Sequence, residues 1–149
     1  MQLLLTVAAI LALDQGTKYF VSSYFEQGQS IPILLNIFHL TYVKNPGAAF
    51  GLLAYRTSFF IVITILVTVV ILVIYRKVSP RKRLLRFGLG LQLGGALGNL
   101  IDRIHSGLVV DFLDFRVWPV FNFADVAIVL GVFLLAFELL RHSEEGKEV

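Results

Sequence analysis

The chain has 149 residues, 57% of them hydrophobic and 15% charged, with a mean hydropathy of +0.81 and no cysteine. Such a composition excludes an ordinary soluble domain and marks a polytopic membrane protein: one compact domain with room for four spans of about 20 residues. Without cysteine there is no disulfide framework, thiol nucleophile or thiolate metal site, and the net charge of +3 stems largely from Arg76, Lys77, Arg81, Lys82, Arg83 and Arg86, a cluster that suits lipid head groups better than nucleic acid.

The first apolar run, Leu3 to Leu13, is too short to span, so its helix is predicted to continue through Asp14, Gly16, Thr17 and Lys18 over about 2–21. It lacks the basic flank and cleavage site of a secretory leader, and three more apolar runs follow. Residues 22–56 form the next polar segment. Within it, 22–31 reads as a short interfacial helix or a loop. Ile37 to Val43 alternates as a strand of a small surface sheet does, and Asn45, Pro46 and Gly47 punctuate its end.

The second span, about 57–75, holds nothing polar beyond Ser and Thr and is expected to face lipid. The loop at 76–83 carries most of the basic cluster, and the third span, about 84–102, carries Gly90, Gly94 and Gly98, a stripe that admits close approach of another helix. A second polar segment, 103–120, precedes a fourth span at about 121–140, which draws Asn122 and Asp125 into the membrane boundary; a tail, 141–149, follows, of which Ser143 to Val149 reads as disordered. The basic loop is cytoplasmic by the positive-inside rule, which puts both termini inside and the segments 22–56 and 103–120 outside. The expected fold is thus an all-α membrane protein of four transmembrane helices with a small extracytoplasmic β-sheet.

All five aspartates, Asp14, Asp102, Asp111, Asp114 and Asp125, fall at the outer edge in this topology. Ionisable groups at that depth are costly and therefore candidates for function. Asp14 and Lys18 are one helical turn apart and can pair; Asn99, Asp102 and Arg103 share a helix end, where Arg103 can grip a carboxylate through its planar fork. For both groups an ion-pair network tying helix ends together competes with a catalytic role. Asp125, three residues after Asn122, has no cation close in sequence, and Asp111 and Asp114 lie in VVDFLDF. If either approaches Asp125 the two share a proton, one acting as general base on water and the other as general acid. The same carboxylates equally suit a small proton-coupled transporter, and the polar residues a purely structural or assembly factor.

His39, His105 and His142 are scattered without an HExxH pair, which disfavours zinc hydrolysis. Ser106, with Lys18 or Lys44 as its base, lacks a GxSxG elbow and reads as a turn residue beside Gly107. The segment NPGAAFG, Asn45 to Gly51, is a turn or a close approach of backbone to a ligand.

DQGTK at Asp14–Lys18, NPGAAFG, GGALGNLIDR at Gly94–Arg103, VVDF at Val109–Phe112 and FNFAD at Phe121–Asp125 together resemble the lipoprotein signal peptidases, also called type II signal peptidases, over nearly the whole chain. That resemblance implies a cofactor-free and metal-free intramembrane aspartic endopeptidase of the bacterial cytoplasmic membrane, with its site facing the extracytoplasmic side; the glycine stripe, spent within one chain, favours a monomer. It implies a substrate too: a prolipoprotein, cut just before a cysteine that carries diacylglycerol. By motif, Asp111 and Asp125 are the catalytic pair. Asp14, Lys18, Asn45, Asn99, Asp102, Arg103 and Asn122 match positions that shape the site or hold substrate, and Asp114 is left as a solvated bystander. Phe112, Phe115, Phe121 and Phe123 are expected to wall the site, with lipid chains in an apolar groove between helices.

Overall fold

The computed structural model describes residues 1–47 and 53–145, with side chains up to Arg141. Along the chain run α1 (Gln2–Tyr24), β1 (Ser30–Leu34), β2 (Phe38–Asn45), α2 (Thr57–Lys77), α3 (Arg83–Ser106), β3 (Val109–Asp114) and α4 (Phe123–Glu145). Each of the four helices is long and apolar enough to cross a membrane.

α3 is the central helix: 61% of its apolar window is buried, against 22% for α1 and for α4 and 6% for α2. Glycine makes this possible on two of its faces. Gly90, Gly94 and Gly98 lie against Thr6, Ile10 and Asp14 of α1, the close approach expected of that stripe. On a second face Gly88 and Gly95 receive α4 at Gly131 and Ala124. That face is less visible in sequence because its glycines are seven residues apart and the contact needs a third glycine from α4. A Cβ on Gly95 would run into the Ala124 carbonyl and stand 2.8 Å from Ile128. Gly95→Ala is therefore expected to destabilise the protein by about 3 kcal/mol and to lower activity, since Ala124 adjoins Asp125. Gly16→Ala, where a Cβ meets nothing, should gain roughly 0.5–1 kcal/mol. Thermal unfolding in detergent distinguishes the two, and equal behaviour would contradict the packing.

α2 buries only Ile71 and Tyr75, in keeping with a lipid-facing span. Arg86 stacks over the Tyr75 ring at 3.9 Å and donates to the Val78 carbonyl at 2.8 Å, so this member of the basic cluster closes the α2–α3 turn. At the other end of the bundle α3 stops at Gly107, whose left-handed φ of 77° caps the helix, and Ser106 serves this turn as expected.

The sheet is antiparallel in the order β1-β2-β3. β2 is the strand that alternation predicts. Residues 22–31 are neither an interfacial helix nor simply a loop: α1 runs on to Tyr24, and β1 begins at Ser30. β1 is short and contains Pro32, while β3 carries two carboxylates, so neither shows a clean strand pattern. Beneath the sheet, Val21, Tyr42 and Phe112 form a core with Phe25, Leu40 and Phe123, which joins the sheet to α1 and α4.

Candidate active site

Lys18 is the hub of a buried polar network. Its ammonium donates to Asp14 at 2.8 Å, Asp102 at 2.9 Å and Asn99 at 2.9 Å, one acceptor for each of its protons. Asp14 accepts in turn from the Ala124 N–H in the first turn of α4, and Asp102 from the Val110 N–H in β3. The two carboxylates thus tie three separate elements to one cation, and each tie lies one residue from Asp125 or Asp111.

The start of α4 is a capping box. The Asn122 side chain accepts from the Asp125 N–H at 3.0 Å, and the Asp125 carboxylate accepts from the Asn122 N–H at 3.2 Å. The same asparagine donates to Asp111 at 2.7 Å and to Asn99 at 3.1 Å, while Asn99 donates to Asp125 at 2.8 Å. Asn45, at the end of β2, donates to the other oxygen of Asp111 at 2.8 Å and accepts from the Gly47 N–H. The segments that carry Asp111 and Asp125 are joined by a chain reversal in which the Phe112 and Leu113 N–H groups both donate to the Phe121 carbonyl. Both open onto one cavity of about 270 Å³, lined also by Asn45, Asn99, Arg103, Trp118 and Phe121. Burial, and then the charge of Asp125, push the Asp111 carboxyl up to about 7, against the opposing bonds from Asn45 and Asn122.

All nine residues singled out in the sequence therefore meet at one place, with differences of detail. Arg103 does not grip Asp102, whose cation is Lys18 from α1. One position further round α3, Arg103 lies over the Phe60 ring at 4.7 Å and donates to the Gly47 carbonyl at 3.3 Å. Phe112 and Phe123 are not walls of the cavity, because their strand and helix positions turn them into the core under the sheet. Phe115 and Phe121 do line the apolar groove of about 490 Å³ that continues past Asp125 along Val126, Val129 and Leu130 of α4. Asp114 is no solvated bystander: it is 5% exposed and bonded to Thr41 and Arg116. Of the NPGAAFG segment, the residues after Gly47 lie outside those described.

Two contributors escaped the sequence reading. Gln15 donates to Asp14, Asp102 and the Gly98 carbonyl; its signals were a place inside DQGTK and the one-turn spacing from Lys18. Trp118 walls both cavities, and its sign was being the lone tryptophan between the two aspartates. Among the described residues no group of three metal-ligating side chains occurs.

The arrangement is that of two carboxylates, joined through Asn99 and Asn122, that open onto one cavity at one end of an apolar bundle. Known proteins point the same way. The family model described as signal peptidase (SPase) II matches residues 6–141. The lipoprotein signal peptidase of Moorella thermoacetica is 54% identical over 149 residues, covering 99% of both chains. That of Pelotomaculum thermopropionicum is 53% identical over 148 residues, covering 99% of this chain and 97% of its own. A bacterial membrane enzyme solved by the in meso method at 2.3 Å resolution superposes with a TM-score of 0.93 at 32% identity, covering 99% of this chain and 92% of that one. With four membrane-crossing helices, a three-stranded sheet and relatives of this closeness, the chain is a multi-pass membrane peptidase of the signal peptidase II family.

Proposed function

We propose that the chain is an aspartic endopeptidase that removes the signal peptide of diacylglyceryl-modified prolipoproteins, cutting just before the lipidated cysteine, with Asp111 and Asp125 as the catalytic pair. One observation carries the reading: a buried carboxylate, Asp111, and a half-buried one, Asp125, open onto one cavity, and Asp111 holds its proton up to about pH 7. In the proposed cycle the ionised member takes a proton from water as the oxygen attacks the scissile carbonyl, and the protonated member supplies one to the leaving amine. Asn45, Asn99 and Asn122 orient the pair, while Asp14, Lys18 and Asp102 fix the elements that carry it. Arg103, at the cavity wall, faces the substrate backbone.

The basic loop 76–83 supports a cytoplasmic placement of that end, which leaves the sheet, the cavity and the scissile bond at the extracytoplasmic boundary. The apolar groove beside Asp125 suits a lipid-bearing substrate. The glycines of α3 are occupied by α1 and α4 of the same chain, which supports a monomer. A carboxylate-lined transporter is less well supported, because the paired groups close on a pocket at one end of the bundle and no repeated half crosses its midplane.

Mass spectrometry of the products from a purified, diacylglyceryl-modified precursor tests the reading. The expected product begins at the lipidated cysteine. A cut elsewhere, or equal cleavage of the unmodified precursor, would overturn it.

A pH dependence follows. Asp111 is protonated below about 7 and ionised above it, so the single shared proton is lost as the pH rises through about 7, and kcat/KM should fall on that side. It should fall again in acid, where both carboxyls are protonated. A pH–rate profile that stays level from acid to pH 9 would contradict the shared proton.

A further inference from the structure

Between Asp111 and Asp125 the chain makes a short loop, residues 115–120, whose neck is closed by the Leu113–Phe121 bridge and by the Phe115 and Phe121 rings, stacked at 5.9 Å. At its tip Trp118 is 60% exposed, and it lines both the polar cavity of the two aspartates and the apolar groove along α4. The loop does not rest in a relaxed conformation. Arg116 has a left-handed φ of 66°, uncommon for a side chain of its size, inside a tight turn closed by the Val117 N–H on the Phe115 carbonyl at 2.8 Å.

Asp114 holds this turn. One of its oxygens accepts from the Arg116 N–H at 2.8 Å; the other accepts from the Arg116 guanidinium at 3.1 Å and from the Thr41 hydroxyl of β2 at 2.7 Å. Thr41 bonds onward to Ser30 of β1 at 2.7 Å, so the latch is anchored across the whole sheet. The guanidinium is half-exposed, and its ion pair contributes little; the backbone N–H and the half-buried Thr41 hydroxyl are the effective contacts. Burial alone would push the Asp114 carboxyl up, but the bonds from Thr41 and Arg116 outweigh it and hold the group below its ordinary value. The latch is therefore charged, and shut, throughout the neutral range in which Asp111 titrates.

We infer that Asp114 is a positioning residue for substrate binding: it latches loop 115–120 so that Trp118 stands as the wall between the two cavities, against which the lipid-bearing end of the precursor packs. This rests on the function proposed above. The latch touches neither aspartate of the pair, so its loss acts on binding and leaves the chemical step in place.

Because the protein has a single tryptophan, the loop reports on itself. In full-length protein in lipid nanodiscs, Asp114→Ala is expected to raise KM for a diacylglyceryl-modified precursor about tenfold with kcat within about threefold, the signature of lost binding. It should also raise acrylamide quenching of Trp118. Asp114→Asn, whose amide oxygen can still accept from the Arg116 N–H, should recover most of both, and Thr41→Val should fall between. On an Asp125→Asn background, which blocks turnover, the precursor should shield Trp118 from acrylamide, and less so once Asp114→Ala is added. Unchanged KM and quenching in Asp114→Ala would overturn the inference, as would a fall in kcat at constant KM or a precursor that leaves Trp118 fully quenchable. Cleavage by Asp125→Asn itself would instead overturn the proposed catalytic pair.

Discussion

Asparagine in place of Asp125, or of Asp111, is expected to lower turnover of a diacylglyceryl-modified precursor by on the order of 10³-fold or more while leaving the protein folded. An amide can neither take a proton from water nor carry the shared one. The structural cost is small by comparison. At position 125 the backbone N–H still donates to Asn122, and an amide oxygen accepts from the Asn122 N–H or from Asn99, so at least half of the capping box survives. At position 111 the carboxylate accepts from the side chains of Asn45 and Asn122, and an amide loses one of those bonds and removes the need to bury a charge. A gel-shift assay of the purified precursor with each variant, beside its thermal unfolding curve, is the decisive measurement. If either variant processed the precursor at close to the wild-type rate, the catalytic assignment would be wrong. If both unfolded, the two aspartates would be structural.

Lys18→Met should be the most damaging change to stability. Lys18 is 3% exposed, and its ammonium is the cation of both Asp14 and Asp102. Removing it leaves two buried carboxylates uncompensated, at about 3–5 kcal/mol for a broken buried pair, or a fall in melting temperature on the order of 10 °C for a chain of this size. Arginine should not rescue it. A planar guanidinium cannot direct its protons to three acceptors grouped around one nitrogen. Activity should fall with stability, because Asp14 and Asp102 hold the backbone of α4 and β3 beside Asp125 and Asp111. Adding Asp14→Asn and Asp102→Asn to Lys18→Met should restore part of the melting temperature by removing the buried charges. A single variant as stable as the wild type would mean that water reaches the cluster and screens it.

Much of the site was legible because its parts are local. Asp14 and Lys18 are one turn apart on a helix, and Asn122 and Asp125 stand at the capping-box spacing before an apolar run; short-range geometry fixes both pairs whatever the rest of the chain does. Asp102 shows the limit of such reasoning. Its nearest cation in sequence is Arg103, yet adjacent helix positions point about 100° apart, and the ion pair forms with a lysine that lies 84 positions away in the chain and directly across the helix contact. Asp114 was misread for the same reason. The Thr41 hydroxyl that removes it from solvent arrives only when β2 pairs with β3.

Four helices long enough to cross a membrane, and the one with least buried surface, could be read directly from the chain, because hydropathy and length act locally and accumulate along a run. The family motifs named the residues of the site, and the glycine stripe announced a close helix contact without naming its partner. That α3 is the centre, with α1 and α4 on two glycine faces, emerges from the packing alone. Only the tertiary structure decided that a lysine of α1 neutralises the carboxylate of α3, and that a buried aspartate of β3 latches the loop beside the cavity. Each of these depends on groups far apart in the chain meeting at 3 Å, and a buried charge or hydrogen bond has its strength only once the partner has arrived and the water has left.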